Sequence, residues 1–288
     1  NPHGLLREMM MSNLYQVHPY RWPTIGYMKD IEHYTVEKLR RFYEAYYVPN
    51  NAVLSIAGDF DSNDIKKKIE KYYGPLPSKP VPDRVYSQEP KNKKFVKQKI
   101  KWQVSQTSFA LAFPGMAAGH EDSYALDLLS VILGGDRSSR LHQKLVYQSQ
   151  QCSSVSAFNM TSADPGAFMI SAELKKKSSV EKVKTEILKQ LSILQKNKIS
   201  VKELEKARNQ TMMDYMNGLL TIDGKAQSLV INEIIFSDYQ RLFSDLKRYD
   251  QVTVEQIRKV AQKYLRPESM VQVELQPKGQ SDEKEQGQ

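Results

Sequence analysis

The sequence predicts an α+β fold built from two similar units, of which the first is incomplete. The main observation is a long-range repeat, because residues 35–56 and 253–274 align without a gap at an offset of 218 positions. Self-similarity over such a distance indicates that one type of domain has been duplicated within the chain. The identical pairs are Thr35/Thr253, Val36/Val254, Glu37/Glu255, Arg40/Arg258, Tyr46/Tyr264, Pro49/Pro267 and Val53/Val271.

The order of elements in the second unit also indicates this fold class. Strand-like runs come first, long amphipathic helices follow, and an apolar strand closes the unit. That order is typical of a mostly antiparallel sheet with helices packed on one face. The predicted strands are 95–100, 107–113, 154–160, 167–174 and 270–275. The third and fourth of these flank an Asp-Pro-Gly turn.

The elements of the first unit follow from the same signals. Residues 5–15 have the periodicity of a helix, and Thr35 can cap the helix of the repeat. A proline ends that helix, and the β-prone run 52–57 is predicted to form a short strand. Asp61 or Ser62 can cap one more helix before the chain becomes rich in proline.

The helices of the second unit have recognisable starts and stops. Gly134 and Gly135 interrupt an apolar helix, and residues 138–147 are predicted to form the next one. Later helices begin with pairs of residues that can bond to each other's backbone. These predicted capping boxes are Ser178/Glu181, Ser200/Glu203 and Thr253/Gln256.

The domain boundaries follow from composition. Residues 74–90 contain five prolines and little apolar periodicity, which is typical of a stiff linker. We therefore assign 1–76 to the end of a first domain, 77–92 to the linker, 93–277 to a complete second domain and 278–288 to a disordered polar tail. The repeat offset places the start of the first unit roughly 125 residues before residue 1. Since the chain begins Asn-Pro, residue 1 is not expected to be a translation start.

Composition narrows the possible functions. No run of 18 apolar residues occurs, so we predict no transmembrane segment in this chain. The single cysteine, Cys152, excludes an intrachain disulfide and a cysteine-based zinc site, and we favour a buried apolar role for it over a nucleophilic one. The net charge of +9 comes from short lysine runs without a nucleic-acid-binding motif, which favours a solvated basic surface and no nucleic-acid partner.

The residues alone show no active site. None of the five histidines pairs with another histidine or an acid at the spacing of a helical metal site. His18 lies in an aromatic, proline-rich loop and is expected to pack, whereas His142 is expected at the surface. The glycine-rich segment 134–141 follows a helix and lacks a lysine after the glycines, so a helix stop is favoured over a phosphate site. No catalytic or metal-binding residue is assigned, and the substrate-binding residues stay unassigned.

Several motifs resemble the pitrilysin/insulinase-type zinc metallopeptidases, specifically their bacterial two-domain members. They keep their order and extend over nearly the whole chain. For the first domain the motifs are His18-Pro19-Tyr20, Pro23-Thr24-Ile25-Gly26, Phe42-Tyr43-x-x-Tyr46-Tyr47-x-Pro49-x-Asn51-Ala52 and Gly58-Asp59-Phe60. For the second they are Gly134-Gly135, Ser138-Ser139-Arg140-Leu141 and Gly166-Ala167-Phe168.

The resemblance implies one half of a clam-like peptidase that cuts peptides in a chamber. In that family two histidines of an inverted H-x-x-E-H and a later Glu bind zinc, and the Glu inside the motif activates water. These residues precede the His-Pro-Tyr loop, so the zinc of the parent protein is expected to bind upstream of residue 1. No zinc ligand is transferred to this chain.

Family second domains that complete the active site usually have an Arg and, seven residues later, a Tyr, which bind the substrate carbonyl and the developing oxyanion. The matching residues here are Val146 and Ser153, and neither can supply a cation or a phenol. Tyr147 is adjacent to the first position but points elsewhere on a helix. We therefore expect the chain alone to be inactive.

Two functional interpretations stay open. In the first, the chain is a fragment of a zinc-dependent endopeptidase subunit, and a homologous partner subunit supplies the Arg/Tyr pair for the cleavage of peptide substrates. In the alternative, it is a noncatalytic scaffold or peptide-binding paralogue of the same family. The sequence assigns no compartment, and the resemblance to bacterial members is compatible with the periplasm.

Overall fold

The computed structural model describes residues 2–83, 85–90 and 94–278. Its helices are α1 (Pro2–Leu14), α2 (Met28–Ile31), α3 (Val36–Tyr46), α4 (Ser62–Tyr73), α5 (Glu121–Gly134), α6 (Val180–Lys196), α7 (Val201–Gly218), α8 (Ile222–Phe236), α9 (Arg241–Ser244), α10 (Leu246–Asp250) and α11 (Val254–Tyr264). Its strands are β1 (Val96–Trp102), β2 (Ser108–Pro114), β3 (Cys152–Met160), β4 (Ala167–Leu174) and β5 (Val271–Pro277). A π-helix spans His142–Gln148, and 3₁₀ turns include Pro49–Asn51 and Pro267–Ser269.

The five strands form one sheet in the order β1-β5-β2-β4-β3. β1 and β5 pair in parallel, and the other three neighbouring pairs are antiparallel. The predicted α+β class with a mostly antiparallel sheet is therefore confirmed. β5 comes last in the chain but lies inside the sheet, where both of its edges are hydrogen-bonded.

The two faces of the sheet are covered by different helices. On β2, Phe109, Leu111 and Phe113 belong to the core shared with α5, α6 and α11, whereas Ala110 and Ala112 belong to the core shared with α1. This alternation is that of a strand buried on both faces. The small alanines leave room for the methionines of α1, since Met9 and Met10 are almost completely buried there.

The chain forms two compact units, and each is described separately. The sheet unit comprises Asn1–Trp22, Gln88–Met213 and Leu246–Gln288, and the other unit comprises Pro23–Ser87 and Asp214–Asp245. The predicted domain boundaries 1–76, 77–92 and 93–277 stay a prediction. α1 packs on the sheet, a tertiary contact that helical periodicity cannot specify. Most of the predicted tail, from residue 279 onward, lies outside the described residues.

The predicted strand at 52–57 is wrong for this chain. None of the described strands pairs with these residues. Val53, Leu54 and Ile56 are between 41% and 53% exposed. A β-prone run becomes a strand only where neighbouring strands accept its backbone hydrogen bonds.

The helix starts agree in part with the predicted caps. At α11 the reciprocal capping box of Thr253 and Gln256 is present. At α7 the Ser200 hydroxyl accepts the Glu203 N–H. At α6 the cap is Ser179, one residue later than predicted, and its hydroxyl accepts the Lys182 N–H. Two consecutive serines make either register possible, and the sequence cannot choose between them.

Candidate functional site

His18 lies in a buried aromatic cluster of the sheet unit. Its Nδ1 accepts the Tyr20 N–H at 3.2 Å, and its ring meets the Tyr20 ring edge-on at 4.3 Å between centroids. The Glu89 carboxylate accepts the backbone N–H groups of residues 16–18. The Nε2 of His18 is 3.4 Å from a carboxylate oxygen of Asp164. This histidine therefore packs and fixes the loop after α1.

The glycine-rich segment is a tight connection and not a phosphate cradle. A Cβ on Gly134 would lie 2.4 Å from the Ala157 nitrogen, so glycine lets the end of α5 approach β3. Burial raises the pKa of Asp136, but hydrogen bonds from Ser138 and Lys206 outweigh it and hold that pKa below its usual value. A carboxylate in this position repels phosphate.

The same segment is fixed to α7 by a paired arginine. Arg140 donates from Nε and Nη2 to the two carboxylate oxygens of Glu203, at 2.7 and 2.8 Å. Both side chains are partly buried. Because a bidentate pair orients both planar groups, it fixes the angle at which the chain enters the π-helix.

The π-helix replaces the regular helix predicted over 138–147. His142 is its first residue and is half-buried, with its ring 5.6 Å from that of Tyr147. Tyr147 is 58% exposed, whereas Val146 packs against the core of the sheet unit. π-Helical turns insert an extra residue and often occur at functional sites. Nothing local in the sequence distinguishes this turn from an α-helix.

Cys152 begins β3 and is completely buried. Burial raises the pKa of its thiol to about 12. The group therefore stays a neutral thiol at physiological pH and packs as a small apolar side chain.

Ser153 is the extra residue of a β-bulge. Its neighbours Cys152 and Ser154 pair with the consecutive residues Leu174 and Glu173 of β4, so Ser153 has no opposite residue. The exposed Ser153 hydroxyl contacts Gln106 Oε1 and the Glu173 carbonyl, both at 3.3 Å. Bulges redirect a side chain and are common beside active sites. Only the family resemblance indicates this position in the sequence, because no local signal marks the bulge.

A polar cleft of about 550 Å³ surrounds this residue. We call it the Ser153 cleft, and it lies where the β1–β2 connection meets the bulge and the start of α1. Its hydrogen-bonding side chains include Gln103, Ser105, Gln106, Ser153, Glu173 and His3. His3 Nε2 lies 3.3 Å from a Glu173 carboxylate oxygen. Amide and hydroxyl groups of this kind can hydrogen-bond to peptide groups, but they supply neither the cation nor the phenol of an oxyanion site.

The described part of the chain holds no group of three or more His, Cys, Asp or Glu side chains arranged to bind a metal ion. The residues present therefore do not fit a zinc site. Over the same residues, none of the helices combines the length and the apolar character needed to span a bilayer.

Comparisons with known proteins identify relatives that are named proteases. A protein of Helicobacter pylori named zinc protease PqqE is 31% identical over 96% of this chain and 63% of that protein. The chain spans less than two thirds of the length of the first curated relatives that it matches. A crystal structure of a protease from Helicobacter pylori superposes with a TM-score of 0.88 at 28% identity, over 96% of this chain and 68% of that one.

Two further matches concern the inactive domain. A Pseudomonas fluorescens structure described as a peptidase M16 inactive domain has a TM-score of 0.85 at 24% identity, over 97% of this chain and 66% of that one, and shows the fold. The family model for the peptidase M16 inactive domain matches residues 33–211. The resemblance to pitrilysin-type peptidases is thereby confirmed, and the chain belongs to the peptidase M16 inactive-domain family.

Proposed function

We propose that this chain is the noncatalytic, peptide-binding part of a zinc-protease-like protein. The observation that carries the proposal is the Ser153 cleft, in which a bulge directs a serine to the position where the family resemblance would place a tyrosine. The match to the inactive-domain family supports it. The cleft offers hydrogen-bonding groups for a peptide, and the described residues hold no metal-binding group that would activate water.

The proposed peptide site combines the cleft with the outer edge of β3, with which no strand of the described residues pairs. β3 is the last strand of the sheet, and along it Ser153, Ser154, Ser156 and Phe158 are exposed. An extended peptide can pair with such an edge through its backbone, and the cleft would then hold one end of it. Recognition of this kind uses main-chain groups and therefore tolerates many sequences.

The test is binding of a fluorescent, unstructured peptide by the purified chain, followed by anisotropy, with mass spectrometry of the same samples. We expect binding that chelation of zinc does not change, and no cleavage. Ser153→Trp fills the cleft and should weaken binding at least tenfold, or about 1.4 kcal/mol. Lys202→Trp is the matched control, since Lys202 is exposed on α7 and belongs neither to the cleft nor to β3.

Two results would contradict the proposal. Zinc-dependent cleavage by this chain would show that it is a complete catalyst. Equal peptide affinity of the Ser153→Trp and Lys202→Trp variants would show that the cleft does not bind peptide.

A second candidate function concerns the whole protein. Because a relative of this chain is named a zinc protease, the full-length protein that contains this chain is a candidate zinc endopeptidase subunit. A homologous partner subunit would then supply the Arg and the Tyr. The two candidates differ in the region upstream of residue 1. If atomic absorption shows one zinc ion bound per full-length chain, the full-length protein is a peptidase subunit. A homologous upstream region without zinc ligands favours the noncatalytic scaffold.

A further inference from the structure

A polar network lies inside the sheet unit, where α5, β3 and α10 meet. At its centre is Asp127 of α5, whose neighbours Leu126 and Leu128 are fully buried. The Oδ1 of Asp127 accepts the side-chain N–H of Asn159 at 2.8 Å, and its Oδ2 accepts the hydroxyl of Tyr249 at 2.9 Å. One carboxylate thus connects a strand and a second helix to α5.

Tyr249 is an anchor of α10. This helix is the first element of the sheet unit after the chain returns from residues 214–245 of the other unit. The Tyr249 ring meets the Tyr124 ring edge-on at 5.1 Å between centroids, and the Tyr249 carbonyl accepts the Arg208 Nε–H at 3.1 Å. The Asp127 carboxylate therefore lies at the point where α10 is fixed to α5 and α7.

One atom of this network lacks a hydrogen bond. The Oδ1 of Asn159 is buried and has no partner among the described residues. A buried acceptor without a donor is unfavourable. The ionised Asp127 cannot supply the donor, because a carboxylate only accepts. The amide of Asn159 holds its nitrogen and oxygen side by side, so a carboxyl group that accepts from the nitrogen lies next to the oxygen.

A single proton completes the network. A protonated carboxyl group keeps an accepting oxygen and gains one O–H donor. Asp127 then accepts from the Asn159 nitrogen and donates to the Asn159 oxygen. The Tyr249 hydroxyl still donates to the protonated oxygen, which keeps a lone pair. No group loses a hydrogen bond and the Asn159 oxygen gains one, so the arrangement fits the acid better than the carboxylate.

The surroundings of Asp127 also favour the acid. Burial raises the pKa of Asp127 to about 6, which outweighs the hydrogen bonds from Asn159 and Tyr249 that lower it. A buried carboxylate remains ionised at little cost only when a cation pairs with it. Within the part of the chain that the structure describes, no cation contacts the Asp127 carboxylate.

The charged groups of the neighbouring elements have other partners. β3 contains no charged residue. From α10, the Arg248 guanidinium lies over an aromatic ring of α5, 5.7 Å from its centroid. From α7, Arg208 donates to two backbone carbonyls. From α11, Lys263 pairs with Asp122 in the first turn of α5. None of these cations holds Asp127 in its ionised form.

We propose that Asp127 is a proton-dependent switch that fixes α10 and the outer strand β3 to α5. In the protonated state Asp127, Asn159 and Tyr249 all have partners, and the three elements are held together. When the proton leaves to solvent, the Asn159 oxygen loses its donor and a buried charge lacks a cation, so α10 and β3 open more readily. The switch does not depend on the proposed peptide-binding function.

Proton linkage gives the direction of the effect. The pKa of Asp127 is about 6 in the folded chain and about 3.9 in an unfolded one. The folded state binds the proton more tightly, so the stabilisation is complete below about pH 4 and is lost as the pH rises through about 6. This direction is opposite to that of Asp122 on the same helix, whose pKa is lowered.

Amide hydrogen exchange followed by NMR tests the proposal, with rates corrected for the intrinsic effect of pH. We expect the protection of the α10 and β3 amides to fall about tenfold between about pH 5 and pH 7. The side-chain carboxyl carbon of Asp127 should titrate with a midpoint of about 6. A midpoint near the unfolded value, about 3.9, or protection that stays constant over this range would overturn the proposal.

Two variants of α5 separate this switch from other titrations. Asp127→Asn keeps the size and provides an amide that both donates and accepts. It should keep α10 and β3 protected at about pH 7 and remove the pH response. Asp122→Asn is the matched control on the same helix and should leave the response intact. A response that persists in Asp127→Asn, or that disappears in Asp122→Asn, would contradict the proposal.

Discussion

Helix α3 of the first repeat copy and helix α11 of the second have the same length of 11 residues and begin after a capping threonine. Each is followed by a 3₁₀ turn that starts at a proline. Beyond that turn the copies diverge, because residues 271–277 form β5 and residues 52–57 stay unpaired. α11 buries four side chains and α3 buries none.

The difference separates local from tertiary causes. The cap, the helical period and the proline act over a few residues, so they give the same helix and turn in both copies. Burial and strand pairing need partners, and within the described residues only the second copy has them. The two residues of an aligned pair therefore have the same local structure but different surroundings. Substituting both residues in the same way measures the effect of the surroundings.

The largest contrast is expected for a charge placed on the apolar face. Val260 is 1% exposed, so Val260→Asp should lower the free energy of unfolding of the sheet unit by about 3–5 kcal/mol. The aligned Phe42→Asp should change that free energy by less than about 0.5 kcal/mol. Urea unfolding followed by circular dichroism measures both. Similar costs for the two variants would contradict the assigned burial.

A smaller contrast is expected for the shared tyrosine. The Tyr264 hydroxyl donates to Asp122 Oδ2 at 2.6 Å, which fixes α11 to the start of α5. Removing a hydrogen bond to a charged group costs about 1.5–3 kcal/mol, so Tyr264→Phe should destabilise the sheet unit by that amount. Tyr46→Phe should be neutral, since α3 has no buried residue. A neutral Tyr264→Phe would show that this bond contributes nothing.

Acid is expected to destabilise α11 of the second repeat copy more than α3 of the first. Burial raises the pKa of Asp122, but hydrogen bonds from Lys263 and Tyr264 outweigh it, and the net pKa is lowered. A lowered carboxyl pKa stabilises the fold above its unfolded value, near 3.9, and this stabilisation is lost as the pH falls through the folded pKa. Amide exchange in α11 should therefore accelerate below about pH 4 relative to α3. Asp122→Asn should remove this pH dependence; if it persists, another carboxyl is responsible.

The smallest contrast is expected at the caps. The Thr253 hydroxyl accepts the Gln256 N–H at 3.2 Å, and the Gln256 side chain accepts the Thr253 N–H at 2.7 Å. Thr253→Ala should therefore cost about 1 kcal/mol of stability. Thr35 also caps its helix, through the Lys38 N–H, but Thr35→Ala should lower only local helicity. Equal shifts of the global unfolding midpoint would show that α3 is coupled to the sheet unit.

Less of the candidate site than of the fold could be predicted from the sequence. Spacing led us to predict no nucleophile or metal pair, and resemblance selected Val146 and Ser153. The bulge at Ser153 and the π-helix before it could not be inferred, because both insert one residue into a regular pattern without a glycine or proline to mark it. The helix stop predicted at Gly134 is confirmed, since α5 ends there, but the close approach of Gly134 to β3 could not be inferred from the sequence.

The sequence by itself determined the α+β class, the repeat, the strands of the sheet within two residues, and the helix starts at Thr35 and Thr253. These features depend on short-range periodicity and capping, which every window of the chain contains. Only the tertiary structure decided that α1 covers the second face of the sheet and that residues 52–57 stay unpaired. Both depend on contacts between residues far apart in the chain, and an amphipathic pattern does not specify its partner.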